Sequence, residues 1–398
     1  MMPLQVSPRG REQQHRAPIV LVGPVHPLRG GIAQFTGEVY EQLCRRHRVH
    51  VVSFSRQYPG WLFPGRTQFD GSRTAQAVPA ARTIDAIAPW SWWRTAADIG
   101  RLHPRAVIFM YWMPFFAPAY GTIARRLKVR SGTRVVFLCH NLYPHEPSRL
   151  DRVLTRYAVG HADGILTLSG SVARDARVLA AHATVRCVPH PVPTIFPARP
   201  AAADARRKYG IPADELVLLF FGYVRPYKGL TVLLRALPEI LRQRACRVLI
   251  AGEFYEPRTR YDELIARLGV GERVTILDRY LPNEEVPEVF AASDICVLPY
   301  VSATQSGVAK VAYGFGTPVI VTDVGGLAED VIDGETGYVV PSQDPAAIAA
   351  AVERFCRERP ARDVATAIGL LRARFSWAPL AEALEEMTTA RGESRAPR

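Results

Sequence analysis

At 398 residues the chain is longer than one core comfortably fills, so two domains are the expectation. Its 48% apolar and 22% charged composition is that of an ordinary soluble globular protein. Fifty basic against 37 acidic residues leave a net charge of +13, which suits an anionic substrate, an anionic membrane surface or nucleic acid. No run of five basic residues and no zinc-finger or RNA-binding signature occurs, so nucleic acid ranks last. Six scattered cysteines (44, 139, 187, 246, 296 and 356) form no C-x-x-C, and four lie in apolar strand-like runs. They read as buried thiols of a reducing compartment, which suggests a cytoplasmic location. Residues 1–17 lack the apolar core of a secretory signal and read as a disordered tail, as does the final RGESRAPR.

The first buried strand is Pro18–Gly23. It is followed by a loop ending in Gly30-Gly31 and a helix over about Ile32–Leu43. Adjacent glycines at a helix start permit close backbone approach and positive φ, but this is no G-x-G-x-x-G fingerprint, so a tightly bound dinucleotide is disfavoured. A structural and a functional reading of the pair stand level. Val49–Phe54 is a second strand. From Tyr58 to Trp93 the periodicity disappears while Trp61, Phe63, Trp90, Trp92 and Trp93 accumulate. Ala106–Gly121 is 16 uncharged residues, too short to span a bilayer and interrupted by Pro114 and Pro118. It reads as a buried strand, Ala106–Tyr111, and then an apolar loop that is either ordinary packing or an acceptor groove or lipid-resting surface. Arg134–Cys139 is a strand ending in His140-Asn141-Leu-Tyr-Pro-His145-Glu146, where α/β sheets place ligands. There His140 is a candidate general base or sugar-hydroxyl donor. Strands at Gly164–Ser169 and Val185–Pro191 follow. The four-proline stretch from Pro191 to Asp204 reads as a linker.

Beyond it, Leu216–Phe221 is a continuous apolar run suited to a parallel strand covered on both faces. Gly222, Arg225, Lys228 and Gly229 follow, then a helix with Leu230, Leu233, Leu234, Leu237 and Leu241 on one side. Strand, glycine-bearing loop and helix start present free N–H groups and a positive dipole end, which suits a phosphate or diphosphate. Only four residues of the chain are lysine (128, 208, 228 and 310), against 46 arginines, and one of the four sits at the tip of this loop. Further strands are expected at Arg247–Ala251 (ending Gly252-Glu253), Val274–Leu277, Ile295–Leu298, Val319–Thr322 and Tyr338–Val340. Helices are expected around 261–268, 284–291 and 308–315. About six strands before the linker and six after, alternating with helices, imply two doubly wound domains facing a cleft.

Gly222-Tyr-Val-Arg225-Pro-Tyr-Lys228-Gly229 resembles the G-R-x-x-x-x-K-G element of nucleotide-sugar glycosyltransferases with the GT-B fold, family 4. Tyr223 stands at the family's Arg position, and Arg225 comes two residues later. The resemblance extends over roughly residues 18–390. It covers the Gly30-Gly31 loop, the His140-Asn141 strand end (as in a bacterial subset) and the 325–337 loops. It departs where Thr304-Gln305-Ser306-Gly307-Val308 replaces the E-x7-E acids, whose two positions fall at Ala303 and Val311.

The resemblance implies an α/β GT-B fold of two Rossmann-like domains. They are an acceptor domain at 18–192 and a donor domain at 205–376, joined by a linker at 193–204, with a terminal helix at 377–390 packing back toward the first. It implies retaining transfer from a nucleoside-diphosphate sugar to a saccharide or lipid-linked acceptor in cell-surface polysaccharide synthesis, without metal or cofactor. Arg225 and Lys228 take the diphosphate, and His140 is the third catalytic candidate. Gly222, Gly229, Gly252, Glu253, Gln305, Ser306, Gly307 and Val308 line the donor. Gly30, Gly31 and Asn141 lie on the acceptor side. The expected location is cytoplasmic, peripheral at the inner face of the plasma membrane. A sugar-nucleotide epimerase and an inactive sugar-nucleotide-binding subunit are the alternatives. Ser306 is expected to cap the helix starting near Val308.

Overall fold

The computed structural model describes residues 17–63, 65–144, 148–358 and 364–389. The expected tails, apart from Ala17, and His145 and Glu146 lie outside this range.

Two compact units form. One comprises 17–63, 76–189 and 377–389; the other comprises 65–75 and 190–376. The first contains β1 (Ile19–Val22), α1 (Gly31–Cys44), β2 (Val49–Arg56), β3 (Ala80–Asp85), α2 (Pro89–Arg101), β4 (Ala106–Tyr111), α3 (Ala117–Ser131), β5 (Arg134–Cys139), α4 (Arg149–Val159), β6 (Gly164–Thr167), α5 (Gly170–Leu179) and β7 (Thr184–Cys187). The second contains α6 (Ala202–Lys208), β8 (Leu216–Phe221), α7 (Leu230–Leu241), β9 (Cys246–Ala251), α8 (Thr259–Leu268), β10 (Val274–Leu277), α9 (Val286–Ala292), β11 (Ile295–Leu298), α10 (Gly307–Gly314), β12 (Val319–Thr322), β13 (Gly337–Val340), α11 (Pro345–Glu358) and α12 (Val364–Arg374). The terminal helix α13 (Ala378–Thr389) packs on α1, β4, β5 and β6 of the first unit.

Each unit has one all-parallel sheet, ordered β3-β2-β1-β4-β5-β6-β7 and β10-β9-β8-β11-β12-β13. The central strands read apolar at nearly every position because helices cover both faces; all six residues of β4 are buried. Strand order reverses between β1 and β4 and between β8 and β11. At these points the strand ends splay apart and leave a crevice.

Several expectations are corrected. The first sheet has seven strands, because the aperiodic 58–93 stretch contains β3 and leads into α2. The supposed apolar loop after β4 is a 3-10 turn, Pro114–Phe116, running directly into α3. Phe116, Ala117, Ala119 and Tyr120 are fully buried there, with Phe54 and Phe116 5.1 Å apart, so this stretch is core and not a lipid-resting surface. Cys187 lies on the edge strand β7 and is exposed, whereas Cys139, Cys246 and Cys296 are buried as expected.

The expected domain 18–192 also gives up its segment 65–75 to the other unit. There the Glu253 carboxylate accepts the Arg66 backbone N–H, and Arg66 pairs with Asp278 at 3.1 Å. Glu284 accepts the N–H groups of Arg73 and Thr74, and Ser72 Oγ accepts the Asn283 N–H at 2.9 Å. Hydrogen bonding of this backbone, rather than its place in the sequence, decides its unit.

Candidate functional site

In the second unit the crevice between β8 and β11 is built by two loops tied together. The Val301 N–H donates to Tyr227 O at 2.7 Å. Gly229 has φ 69°, and a Cβ there would lie 1.8 Å from Pro299 O, so only glycine permits the approach. Gly222 has φ 98°; a Cβ on it would sit 2.9 Å from Lys228 Nζ and 3.6 Å from a Val308 methyl. Gly222, Lys228 and the first turn of α10 therefore converge. At Gly252 a Cβ would come within 2.0 Å of Gly222 O, which makes this glycine a packing requirement of the same corner.

Lys228 is 7% exposed, and among the described residues no carboxylate pairs with it. Burial, and then the nearby Arg225 charge, lower its pKa to about 8. Its Nζ lies 5.5 Å from the Tyr300 ring centre. Arg225 is exposed, with its guanidinium 4.8 Å over Tyr255, which stacks on Tyr223 at 4.5 Å. Tyr223 faces Tyr280 at 6.4 Å. Tyr223 thus does not merely vacate the family's Arg position; it is the middle of an aromatic ladder that carries the displaced Arg225.

Ser306 stands at the N-cap position of α10 but makes no cap bond, correcting that expectation: its hydroxyl lies 3.3 Å from Tyr300 OH instead. The first N–H groups of α10 are thus left uncapped by Ser306. Gly307 is exposed, and a Cβ there would meet only His190 Nε2, at 3.8 Å. Gln305 is half-buried in the same loop. Ala303 and Val311, at the family's acidic positions, are buried in the apolar core, and the Ala303 carbonyl abuts Gly325. Next to Val311, Lys310 is buried, pairs with Asp330 at 2.7 Å and has its pKa lowered to about 8 by burial. His190 Nδ1 lies 2.8 Å from Pro191 O; burial and then Lys310 depress its pKa to about 4, so the ring is neutral. Glu253 departs from the donor-lining expectation: it is 2% exposed and holds segment 65–75.

In the first unit, Gly30 (φ 109°) is the N-cap of α1, and Gly31 opens the helix with empty space where a Cβ would project. His140 follows β5, donates its N–H to Tyr111 O at 2.8 Å and is 5% exposed. Its ring packs edge-on against Phe35 at 4.6 Å. This largely buried setting weakens the case for His140 as a general base. Asn141 beside it is half-buried. Sequence reading missed the Tyr223, Tyr255 and Tyr280 ladder, which meets only in space, and Tyr300, which faces Lys228 and Tyr227. It also missed the 65–75 segment, whose one visible signal is the Asp70-Gly-Ser72 turn: Asp70 Oδ1 accepts the Ser72 N–H at 2.8 Å. Among the described residues no cluster of His, Cys, Asp or Glu with metal-holding geometry occurs.

Two family descriptions match the chain: "Glycosyl transferases group 1" over residues 215–358 and "Glycosyltransferase Family 4" over 29–196. D-inositol 3-phosphate glycosyltransferase of Corynebacterium diphtheriae is 37% identical over 191 residues, covering 46% of this chain and 44% of that protein. The Nocardia farcinica enzyme of the same name is 38% identical over 201 residues, covering 47% and 43%. The chain thus matches less than half the length of these curated relatives. Solved structures resemble nearly all of it. Sucrose-phosphate synthase from Thermosynechococcus elongatus gives a TM-score of 0.72 at 20% identity, covering 93% of this chain and 98% of that one. Anabaena HepE in complex with UDP-glucose gives 0.71 at 16%, covering 92% and 98%. At such identities these likenesses concern the fold.

Proposed function

Because the chain belongs to the family 4, group 1 glycosyltransferases with the GT-B fold, we propose that it transfers a sugar, with retention, from a nucleoside-diphosphate sugar to a saccharide or lipid-linked acceptor of cell-surface polysaccharide synthesis. The reaction belongs in the cytoplasm, at the inner face of the plasma membrane. The expected two-domain α/β architecture and the transferase family are borne out; the donor, acceptor, stereochemistry and location are this reading's own.

The observation that carries it is Lys228: a buried ammonium with no carboxylate partner among the described residues, beside Gly222 and the first turn of α10 at the strand-order reversal. Burying a cation in this way is costly unless an anion arrives, and a diphosphate supplies it. The bond from the sugar's anomeric carbon to the diphosphate oxygen breaks. The bond to the acceptor oxygen forms on the same face, and the acceptor proton passes to the departing diphosphate. Negative charge on the diphosphate grows along this path. Lys228, Arg225 and the first N–H groups of α10 then bind it more strongly than they bind the ground state. With Ala303 and Val311 apolar, that anion meets no carboxylate repulsion from those two positions. UDP-glucose is a reasonable first donor to try, since the HepE structure holds it. The same apolar pair is what favours the inactive binding subunit, and turnover separates the two.

The test is a thermal-shift panel of nucleoside-diphosphate sugars, followed by product analysis with the best stabiliser. Free nucleotide plus a glycoside supports the reading. An isomerised sugar supports the epimerase, and a shift without any product supports the binding subunit. A chain that no nucleotide sugar stabilises refutes it.

A further inference from the structure

All crossovers from β3 through β7 run in one direction along the first sheet, so the right-handed rule places α2, α3, α4 and α5 on the same face. α2 packs against α3 and α3 against α4, while α1 and α13 pack together elsewhere on the unit. The four helices of this face carry 11 Arg or Lys and 3 Asp or Glu, a surplus of eight out of the chain's +13. Between the arginines the face also exposes large apolar side chains. Trp90, Trp93, Val129, Leu150, Val153 and Val178 are each more than half exposed, Val178 at 85%. The Arg126 guanidinium lies 5.1 Å over the Trp93 ring. Between α4 and α5 an open pocket of about 760 Å³ is lined by Val153, Val178 and Leu179, with Arg152, Arg156 and the Asp175 carboxylate beside them.

We infer that the α2–α5 face docks on an anionic lipid bilayer. Exposed indoles with a guanidinium stacked on one of them suit the headgroup level, where an amphipathic ring has one side apolar and the other wet. The scattered Leu and Val side chains reach into the acyl boundary, and the arginine surplus is attracted by anionic headgroups. Nucleic acid or an acidic protein would meet the same arginines. Nucleic acid gains nothing from the exposed Val129, Leu150, Val153 and Val178, and an acidic protein would need a matching apolar surface to bury them, whereas a bilayer accepts the charged and the apolar side chains together. The surface agrees only in part with the sequence expectation of aromatic segments at 58–93 and 109–120: Trp90 and Trp93 belong to the first, but the core of the second is buried, and the other exposed apolar residues come from three further helices. The inference deepens the proposed reaction by giving it a membrane-bound location, but it uses none of the residues of the donor site.

The test is flotation of the full chain with phosphatidylcholine vesicles, with and without phosphatidylglycerol, at about 0.1 M salt. Co-flotation is expected only with the anionic lipid and is lost in high salt. Trp90→Ser with Trp93→Ser, and separately Arg152→Glu with Arg156→Glu, should each weaken partitioning by about tenfold or more. Arg45→Glu, an exposed change just past α1, should leave it unaltered. All these positions are exposed, and unchanged melting temperatures confirm folding. Equal flotation with neutral vesicles, variants that float like the parent, or binding of duplex DNA without binding of vesicles overturns the inference. UDP-induced thermal shift is read on the same preparations. Lost flotation with an intact shift rejects this surface alone; flotation without any nucleotide shift rejects the transferase reading alone.

Discussion

Replacing Lys228 with methionine should make the free protein more stable and the donor bind more weakly. Burial lowers this lysine from 10.5 to about 8, a displacement worth on the order of 3 kcal/mol of disfavoured charge. Methionine keeps the length and apolar stem and removes the ammonium, so the free protein should gain up to about that amount, which raises its melting temperature by several degrees. The sign with pH follows. The folded-state pKa lies below the unfolded value, so the penalty is present in full below about pH 8. It fades as pH rises toward 10.5, where the lysine is neutral in both states. The stability difference between parent and variant should therefore be largest at or below neutral pH and shrink through that window. A diphosphate supplies the missing counter-charge, so affinity for UDP or the best donor should fall by about 10–100-fold in the variant, in keeping with roughly 1.5–3 kcal/mol for hydrogen bonds to charged groups. In the parent, affinity should also decline above about pH 8 as the ammonium deprotonates, and in the variant that decline should be absent. Calorimetric titration across pH, with melting curves on the same samples, reads all of this. A variant that is less stable than the parent and binds the donor equally well refutes the reasoning, because Lys228 would then be an ordinary packing residue.

Two further outcomes test the corner itself. Gly222→Ala forces φ 98° on a residue with a Cβ and pushes against Lys228 Nζ; a loss of about 1–3 kcal/mol of stability and a drop in donor affinity are expected, whereas Gly307→Ala, with its nearest contact at 3.8 Å, should fold normally by thermal melt. Tyr255→Leu removes the ring beneath Arg225 and should lower kcat/KM severalfold, and combined with Arg225→Ala it should add little further, a double-mutant cycle in kinetics being the check.

Much of the frame is readable because it is local. Leu216–Phe221 is apolar without alternation, and this alone marks a strand covered on both faces. The glycines at 222 and 229 signal backbone that leaves the usual φ range. The placement of Lys228 was legible from its position between strand and helix, but its missing carboxylate was not, since that depends on every side chain folded around it. The tyrosine ladder joins residues 223, 255 and 280 from three loops, and no spacing rule connects them. Ser306 failed as a cap because Tyr300, six residues earlier, brings a hydroxyl to it. Pro114–Tyr120 looked like a loop because two prolines punctuate it; both sit where a helix tolerates them, in the first turn.

Segment 65–75 constrains how this chain can be divided. Its residues are encoded within the first unit, yet their backbone N–H groups are accepted by Glu253 and Glu284 of the second. A cut at the expected 193–204 linker therefore does not yield a self-sufficient second half. That half would carry Glu253, 2% exposed in the intact chain, without the N–H it accepts. During synthesis the segment leaves the ribosome well before β8 and must wait for the loops around Glu253 and Glu284 that it will bind. Chimaeras that exchange whole halves between relatives at the linker would separate the two sides of this latch. Grafting 65–75 together with the second half is the exchange that keeps the latch intact.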